Sequence, residues 1–343
     1  MLNHRIISSL TLAFALVSLV LFVDTAHSQT QPQTQPQTPK KVYRVGVLIN
    51  RAVPNPQTDS LRAGLTQLGY VEGTNIVFEV RAAEGQLDRL PGFADELVSK
   101  SVDVIVSYGG PPTAAARNAT KTIPIVFTLV ADPVAIGVAA TLTRPGGNLT
   151  GVTTGDANLP AQQMALLKQL MPSLARVAIL TDADIPGADA SGWAPIDRSN
   201  AAAARAAGMT PQMLKVRGPK PDLETAFTAM TSDDAQALVV LEVPAVFAIA
   251  KNVAELATAS RLPTMVWGGE GASGAVMSYG TSLVATYPRL PEYVDRILKG
   301  AKPADTPIEV VAKHQLVINL KTARELGLNV PTELLKRADR VIE

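Results

Sequence analysis

The sequence predicts an α/β protein of two doubly wound, Rossmann-like lobes. Three observations carry that expectation. From Val42 onward, short β-branched runs alternate with amphipathic helical stretches, the pattern of strands paired in parallel through crossover helices. The same rhythm restarts after Thr150. A chain of 343 residues is also long for one core and comfortable for two.

In the first half, Tyr43–Ile49 (YRVGVLI) is an apolar run ending at turn-prone Asn50, a buried strand by length and flanks. Pro56–Leu68 carries Leu61, Leu65 and Leu68 at helical spacing and stops at Gly69, a C-cap. Strands are expected at Ile76–Val80, Val102–Ser107 and Ile123–Leu129, and helices at Leu87–Lys100, Pro112–Thr120 and Asp132–Thr143, the last closed by Pro145-Gly146-Gly147. In the second half, helices are expected at Asn158–Met171, Pro195–Ala207, Leu223–Thr231, Val246–Ser260 and Leu290–Lys299. Strands are expected at Arg176–Thr181, Met209–Val216, Ala237–Glu242, Thr264–Trp267 and Ala275–Tyr279, with tail strands near Ile308–Val311 and Leu316–Asn319. Two such halves in succession form a hinged pair, with a ligand cleft where the carboxyl ends of the strands face each other.

The N-terminus begins Met-Leu-Asn-His-Arg, continues through an apolar stretch from Ile6 to Val23, and places Ala26-His27-Ser28 before Gln29. A basic start, a hydrophobic segment and small residues before a break read as an export signal over residues 1–28, which places the protein in the periplasm. The alternative is a membrane anchor, because Ile6–Val23 approaches spanning length. Ser8, Ser9, Thr11 and Ser18 dilute it, and no basic stop-transfer cluster follows. Residues 29–41 (QTQPQTQPQTPKK) are low complexity with nothing to bury, a flexible leash.

Composition excludes several classes of chemistry. There is no cysteine, hence no lipoprotein anchor, disulfide, iron–sulfur cluster or thiol catalysis. Two of the three histidines, His4 and His27, lie in the export segment, leaving His314. Histidine-based hydrolysis and zinc sites have little to work with, and no cofactor or metal is expected. A net charge of +1 with interspersed signs and few aromatic residues argues against nucleic acid.

The runs DVIVSYGGPPTAAARNATKTIPIVFTLVADPVAIGVAATLTRPGGNLTGVT, VMSYG, YVDRILKGAKPAD and LVINLKTARELGLNVPTELLKRADRVIE resemble the substrate-binding proteins of one ABC-importer family. The resemblance runs from about Tyr43 to Glu343. It implies a type I periplasmic-binding fold with three strands crossing between the lobes. Carried over, lobe 1 is 42–150 plus 281–302, and lobe 2 is 151–280 plus 303–343. It further implies delivery of a small molecule to an importer permease and, through it, an ATPase. Some members of the family bind tryptophan, phenylalanine or tyrosine, so the resemblance points to a small carboxylate-bearing ligand, an aromatic amino acid or a related aromatic acid. GGEGASG, at 268–274, departs from the longer aromatic or acidic loop expected there, so ligand specificity is the property that the resemblance carries over least.

Candidate ligand contacts sit at strand ends. Gly109, Gly110 and Pro111, after Tyr108, lead into a helix whose free amides, with the Thr113 hydroxyl, suit an anion; the same glycines also serve a plain tight turn. Asp132 follows the next strand as an N-cap or a cleft residue. Asn50 and Arg51 end the first strand and can donate to a polar ligand, or Arg51 is simply solvated. In lobe 2, Asp182 and Glu242 end strands and can pair with an α-amino group. Trp193 and Trp267, the only tryptophans, fall near predicted cleft loops, as stacking faces or as core indoles. Glu270 lies on the glycine-rich loop, exposed to the ligand or to solvent.

Gly269-x-Gly271-x-x-Gly274 fits the dinucleotide string but precedes a strand, so no helix N-terminus waits for a pyrophosphate. The expected protein is therefore a monomeric binder rather than a catalyst. The alternatives are a sugar or other metabolite as ligand, a sensory module on the same fold, or an enzyme pairing Asp182 with Glu242.

Overall fold

The computed structural model describes residues 41–343 apart from 219, 242, 244–248, 269–273 and 282. Strands β1 (Tyr43–Ile49), β2 (Ile76–Ala82), β3 (Val104–Tyr108), β4 (Ile125–Thr128) and β5 (Leu149–Thr153) form a parallel sheet in the order β2-β1-β3-β4-β5. Strands β6 (Arg176–Asp182), β7 (Thr210–Val216), β8 (Ala237–Val240), β9 (Thr264–Val266) and β10 (Met277–Thr281) repeat that order in a second sheet as β7-β6-β8-β9-β10. The tail is shared. β11 (Glu309–Val310) adds to β5, whereas β12 (His314–Asn319) lies antiparallel on β10 and carries β13 (Arg340–Ile342) beside it. The two doubly wound lobes expected from the alternating pattern are present.

Helices α1 (Pro56–Gln67), α2 (Leu90–Ser99) and α3 (Gly110–Ala119) belong to the first lobe. In the second are α4 (Leu159–Leu170), α5 (Pro195–Ala206), α6 (Leu223–Ser232) and α7 (Ala250–Ala259). The chain continues through α8 (Arg289–Leu298), α9 (Leu320–Glu325) and α10 (Thr332–Arg337). Leu61 and Leu65 of α1 meet Leu290, Val294 and Ile297 of α8 on one face of the first sheet. Leu90, Ala94 and Leu97 of α2 and Ala116 of α3 cover the other face. Because α8 packs on the first sheet, the backbone crosses between the lobes three times: after β5, after β10, and between β11 and β12.

Two expectations change. β5 keeps the chain in the first sheet to Thr153, and pairing of Glu309 with Val152 and of Val310 with Thr153 returns the tail to it. Two crossings thus fall later than the boundaries expected at 150 and 302. No helix forms over 132–143. Asp132 caps a single turn, its Oδ1 accepting from Val134 N at 3.2 Å and Ala135 N at 2.8 Å. Gly137 then takes φ +70°, a left-handed conformation that ends the turn.

Candidate functional site

In both lobes the carboxyl ends of the strands and the first turns of the following helices converge on one cavity of about 750 Å³. This is where a doubly wound sheet leaves backbone amides and side chains unused by its own ladder. Asn50, Arg51, Tyr108, Gly109 and Asp132 line it from the first lobe, and Asp182 and Trp267 from the second. Gly110, Pro111, Thr113 and Trp193 are not among the lining residues. Glu242 and Glu270 lie outside the described residues.

Local bonding explains these placements. Gly109 sits at φ +97°, which requires glycine, and its N–H donates to the Thr128 carbonyl at 2.8 Å. Thr113 is fully buried: its hydroxyl donates to the Gly109 carbonyl at 2.7 Å and lies 2.9 Å from the Ser107 hydroxyl. It braces the turn from behind instead of facing the cleft. Trp193 lies in the loop after β6 with the Lys215 ammonium 4.1 Å from its ring centroid, a cation–π contact that commits the indole to the loop.

Asp182 is only 2% exposed, its Oδ1 accepting from Asp184 N at 2.9 Å, and Trp267 is 4% exposed against the second core. The Tyr108 hydroxyl donates to the Gln57 carbonyl at 3.2 Å, and burial pushes its phenol far above the ordinary tyrosine range. Asn50 is fixed by Gly85, whose N–H lies 3.0 Å from the Asn50 Oδ1. The lobes meet at the cleft mouth. A methyl group on Gly110 would lie 3.3 Å from Pro186 Cδ, and one on Gly187 would lie 3.1 Å from Ile136 Cγ2.

Several lining residues were not anticipated: Gln57, Gln163, Ser199 and Asn200, and Asp156 of the first crossing. Gln57 precedes Leu61 and Leu65 on the buried stripe of α1, and Asn200 precedes Ala204 on that of α5. Gln57 is a polar residue opening an apolar stripe in the first turn of its helix, and that is the signal that locates it.

One hydrogen-bonded chain joins all three crossings. His314, at the start of β12, places Nε2 2.8 Å from Asp156 Oδ2 and Nδ1 2.9 Å from the Thr281 hydroxyl at the end of β10. The His314 bond, with help from Asn158 N–H, holds the Asp156 carboxyl below the usual range. A lowered acid pKa contributes stability above the unfolded-state value, near pH 4, and loses it as the pH falls through the folded value. Asp156→Asn should therefore remove one component of the acid limb of the stability curve, while costing about 1–3 kcal/mol near neutrality. Urea unfolding at stepped acid pH checks this; an unchanged acid limb would show that the tie contributes nothing.

Among the described residues, no group of three or more His, Cys, Asp or Glu side chains is placed to hold a metal, and no helix is long and apolar enough to cross a membrane. The family model described as ABC transporter substrate binding protein matches residues 45–342. A curated tyrosine-binding protein of Clostridioides difficile is 33% identical over 145 residues, 41% of this chain and 41% of that relative's length. Of solved structures, a conserved domain protein from Vibrio cholerae superposes with a TM-score of 0.78 at 26% identity, over 88% of this chain and 100% of that one. An ABC domain from Streptococcus pneumonia in complex with L-Trp superposes with a TM-score of 0.76, also at 26% identity and with the same coverage.

Proposed function

This chain belongs to the ABC transporter substrate binding protein family, and on that premise we propose that it captures a zwitterionic aromatic amino acid, or a closely related aromatic acid, between its lobes for uptake. The observation that carries the reading is a buried carboxylate and an indole in the wall of one cavity: Asp182 and Trp267 both line the interlobe cavity from the second lobe. A carboxylate in the wall of the cavity, little screened by water, is an acceptor suited to an α-ammonium donor. The Trp267 ring offers an apolar wall to a planar side chain. Across the cleft, Arg51 lines the cavity from the first lobe and suits a ligand carboxylate. The tyrosine-binding relative and the L-Trp complex support the same ligand class.

In this reading the protein binds and does not catalyse. The lobes close about the crossings, and the liganded form is recognised by a permease–ATPase pair. Export by residues 1–28 delivers a monomer to the periplasm on a leash at 29–41.

The test is calorimetry and thermal unfolding of residues 29–343, refolded to strip carried-over ligand, against L-tyrosine, L-tryptophan, L-phenylalanine, glucose and galactose. Saturable binding of at least one aromatic amino acid is expected, with stabilisation of roughly 2.7 kcal/mol at 100 times Kd. Binding of a sugar and of none of the amino acids would overturn the ligand assignment.

A further inference from the structure

Two buried amides in the cleft have an acceptor to spare. Gln57 and Asn200 are each 3% exposed, and both line the cavity, Gln57 from α1 in the first lobe and Asn200 from α5 in the second. Gln57 Oε1 and Asn200 Oδ1 have no hydrogen-bond partner among the described residues. Buried amide oxygens are nearly always satisfied, so two exceptions in one cavity need a cause.

The surrounding bonds hold each residue in place without using its oxygen. Gln57 N–H donates to Asn55 Oδ1 at 3.0 Å, and its carbonyl accepts from the Tyr108 hydroxyl. Asn200 Nδ2 donates to the Ile196 carbonyl at 2.9 Å, which identifies the other end of that amide as oxygen. Among the described residues, the other buried unpartnered side-chain atoms, Gln212 Oε1 and Ser278 Oγ, belong to residues that do not line the cavity.

We propose that Gln57 and Asn200, one from each lobe, accept hydrogen bonds from the captured solute, which therefore presents N–H or O–H donors toward both lobes. This rests on the interlobe cavity being the binding site. It narrows the ligand class: an ammonium, indole N–H or phenol satisfies such acceptors, whereas an ionised aromatic acid without an added donor does not. Torsion about the terminal bond of an amide side chain is broad, so the Gln57 oxygen turns to a donor at small cost. Because the acceptors sit on opposite lobes, both are satisfied only when the lobes close on the same molecule, which couples recognition to closure.

The test compares wild type with Gln57→Met and Asn200→Leu, near-isosteric changes that delete the acceptors. The probes are L-tryptophan, L-tyrosine, indole-3-propionate and 3-(4-hydroxyphenyl)propionate, with calorimetric affinities and ligand-free unfolding midpoints measured in parallel. Wild type should prefer an amino acid to its deaminated counterpart by tenfold or more. At least one variant should lose about tenfold in amino-acid affinity and part of that preference, with a ligand-free midpoint unchanged or raised. Wild-type affinity in both variants, or a loss that only parallels a lowered midpoint, overturns the assignment. If wild type binds none of the probes, the aromatic amino-acid reading fails separately. The ligand-free midpoints then decide: lowered in both variants, the amides are structural; unchanged or raised, they are retained for a ligand.

Discussion

Asp182→Asn is expected to weaken binding of an L-aromatic amino acid by one to two orders of magnitude while leaving the fold intact. The substitution keeps an oxygen able to accept from Asp184 N–H, so the turn after β6 retains its bond. What disappears is the negative charge. A hydrogen bond to a charged group is worth roughly 1.5–3 kcal/mol, about 10- to 150-fold in affinity at 1.4 kcal/mol per decade. The effect belongs near the top of that range because the carboxylate is 2% exposed and water screens it little. Calorimetry against L-tryptophan and L-tyrosine reads it directly. The deaminated analogue provides the control, since it lacks the ammonium and should bind both proteins alike. Equal amino-acid affinity in wild type and variant would remove Asp182 from the ligand's surroundings.

Gly155→Ala should produce the largest loss of stability. Gly155 opens the first crossing and lines the cavity, and a Cβ there would stand 1.7 Å from the Ala131 carbonyl oxygen. That oxygen is backbone, so a side-chain rotation cannot relieve the overlap. The crossing is also held in place, because the Thr153 hydroxyl donates to the Val130 carbonyl and accepts from Gly155 N–H at 2.9 Å. Relief requires moving the crossing or the strand end of β4, both of which shape the cleft. A cost of about 3 kcal/mol or more is expected, at or above the upper end of overpacking effects, together with loss of ligand binding. Urea unfolding measures the first and calorimetry the second. Gly92→Ala in α2, where an added methyl meets no atom within 4 Å, is the matched control and should be neutral or stabilising by up to about 1 kcal/mol. A change below about 0.5 kcal/mol at Gly155 would mean that the crossing yields easily.

Much of the cavity lining was legible because strand ends in a doubly wound sheet point to one place. Asn50, Tyr108, Asp132, Asp182 and Trp267 stand where apolar runs stop, and all five line the cavity. Thr113 departs from the expectation for a local reason: five positions after the end of β3 it has turned with its helix, and its hydroxyl bonds back to the Gly109 carbonyl. Gln57 and Asn200 are not legible in this way, because an amide on an amphipathic helix reads as a polar-face residue until burial shows which face it occupies.

Alternation of strand and helix, and its restart after Thr150, by themselves determined two doubly wound lobes, because hydrophobic periodicity is a local property that specifies element type and the short connections that enforce parallel pairing. The tertiary structure alone decided which distant residues meet. It returned Glu309 to β5 and set His314 between Asp156 and Thr281, partners separated by 158 and 33 residues in the chain. It also placed Gln57 and Asn200 in one cavity from opposite lobes. Such pairings depend on register and on how the lobes close, and neither leaves a periodic trace in the order of the residues.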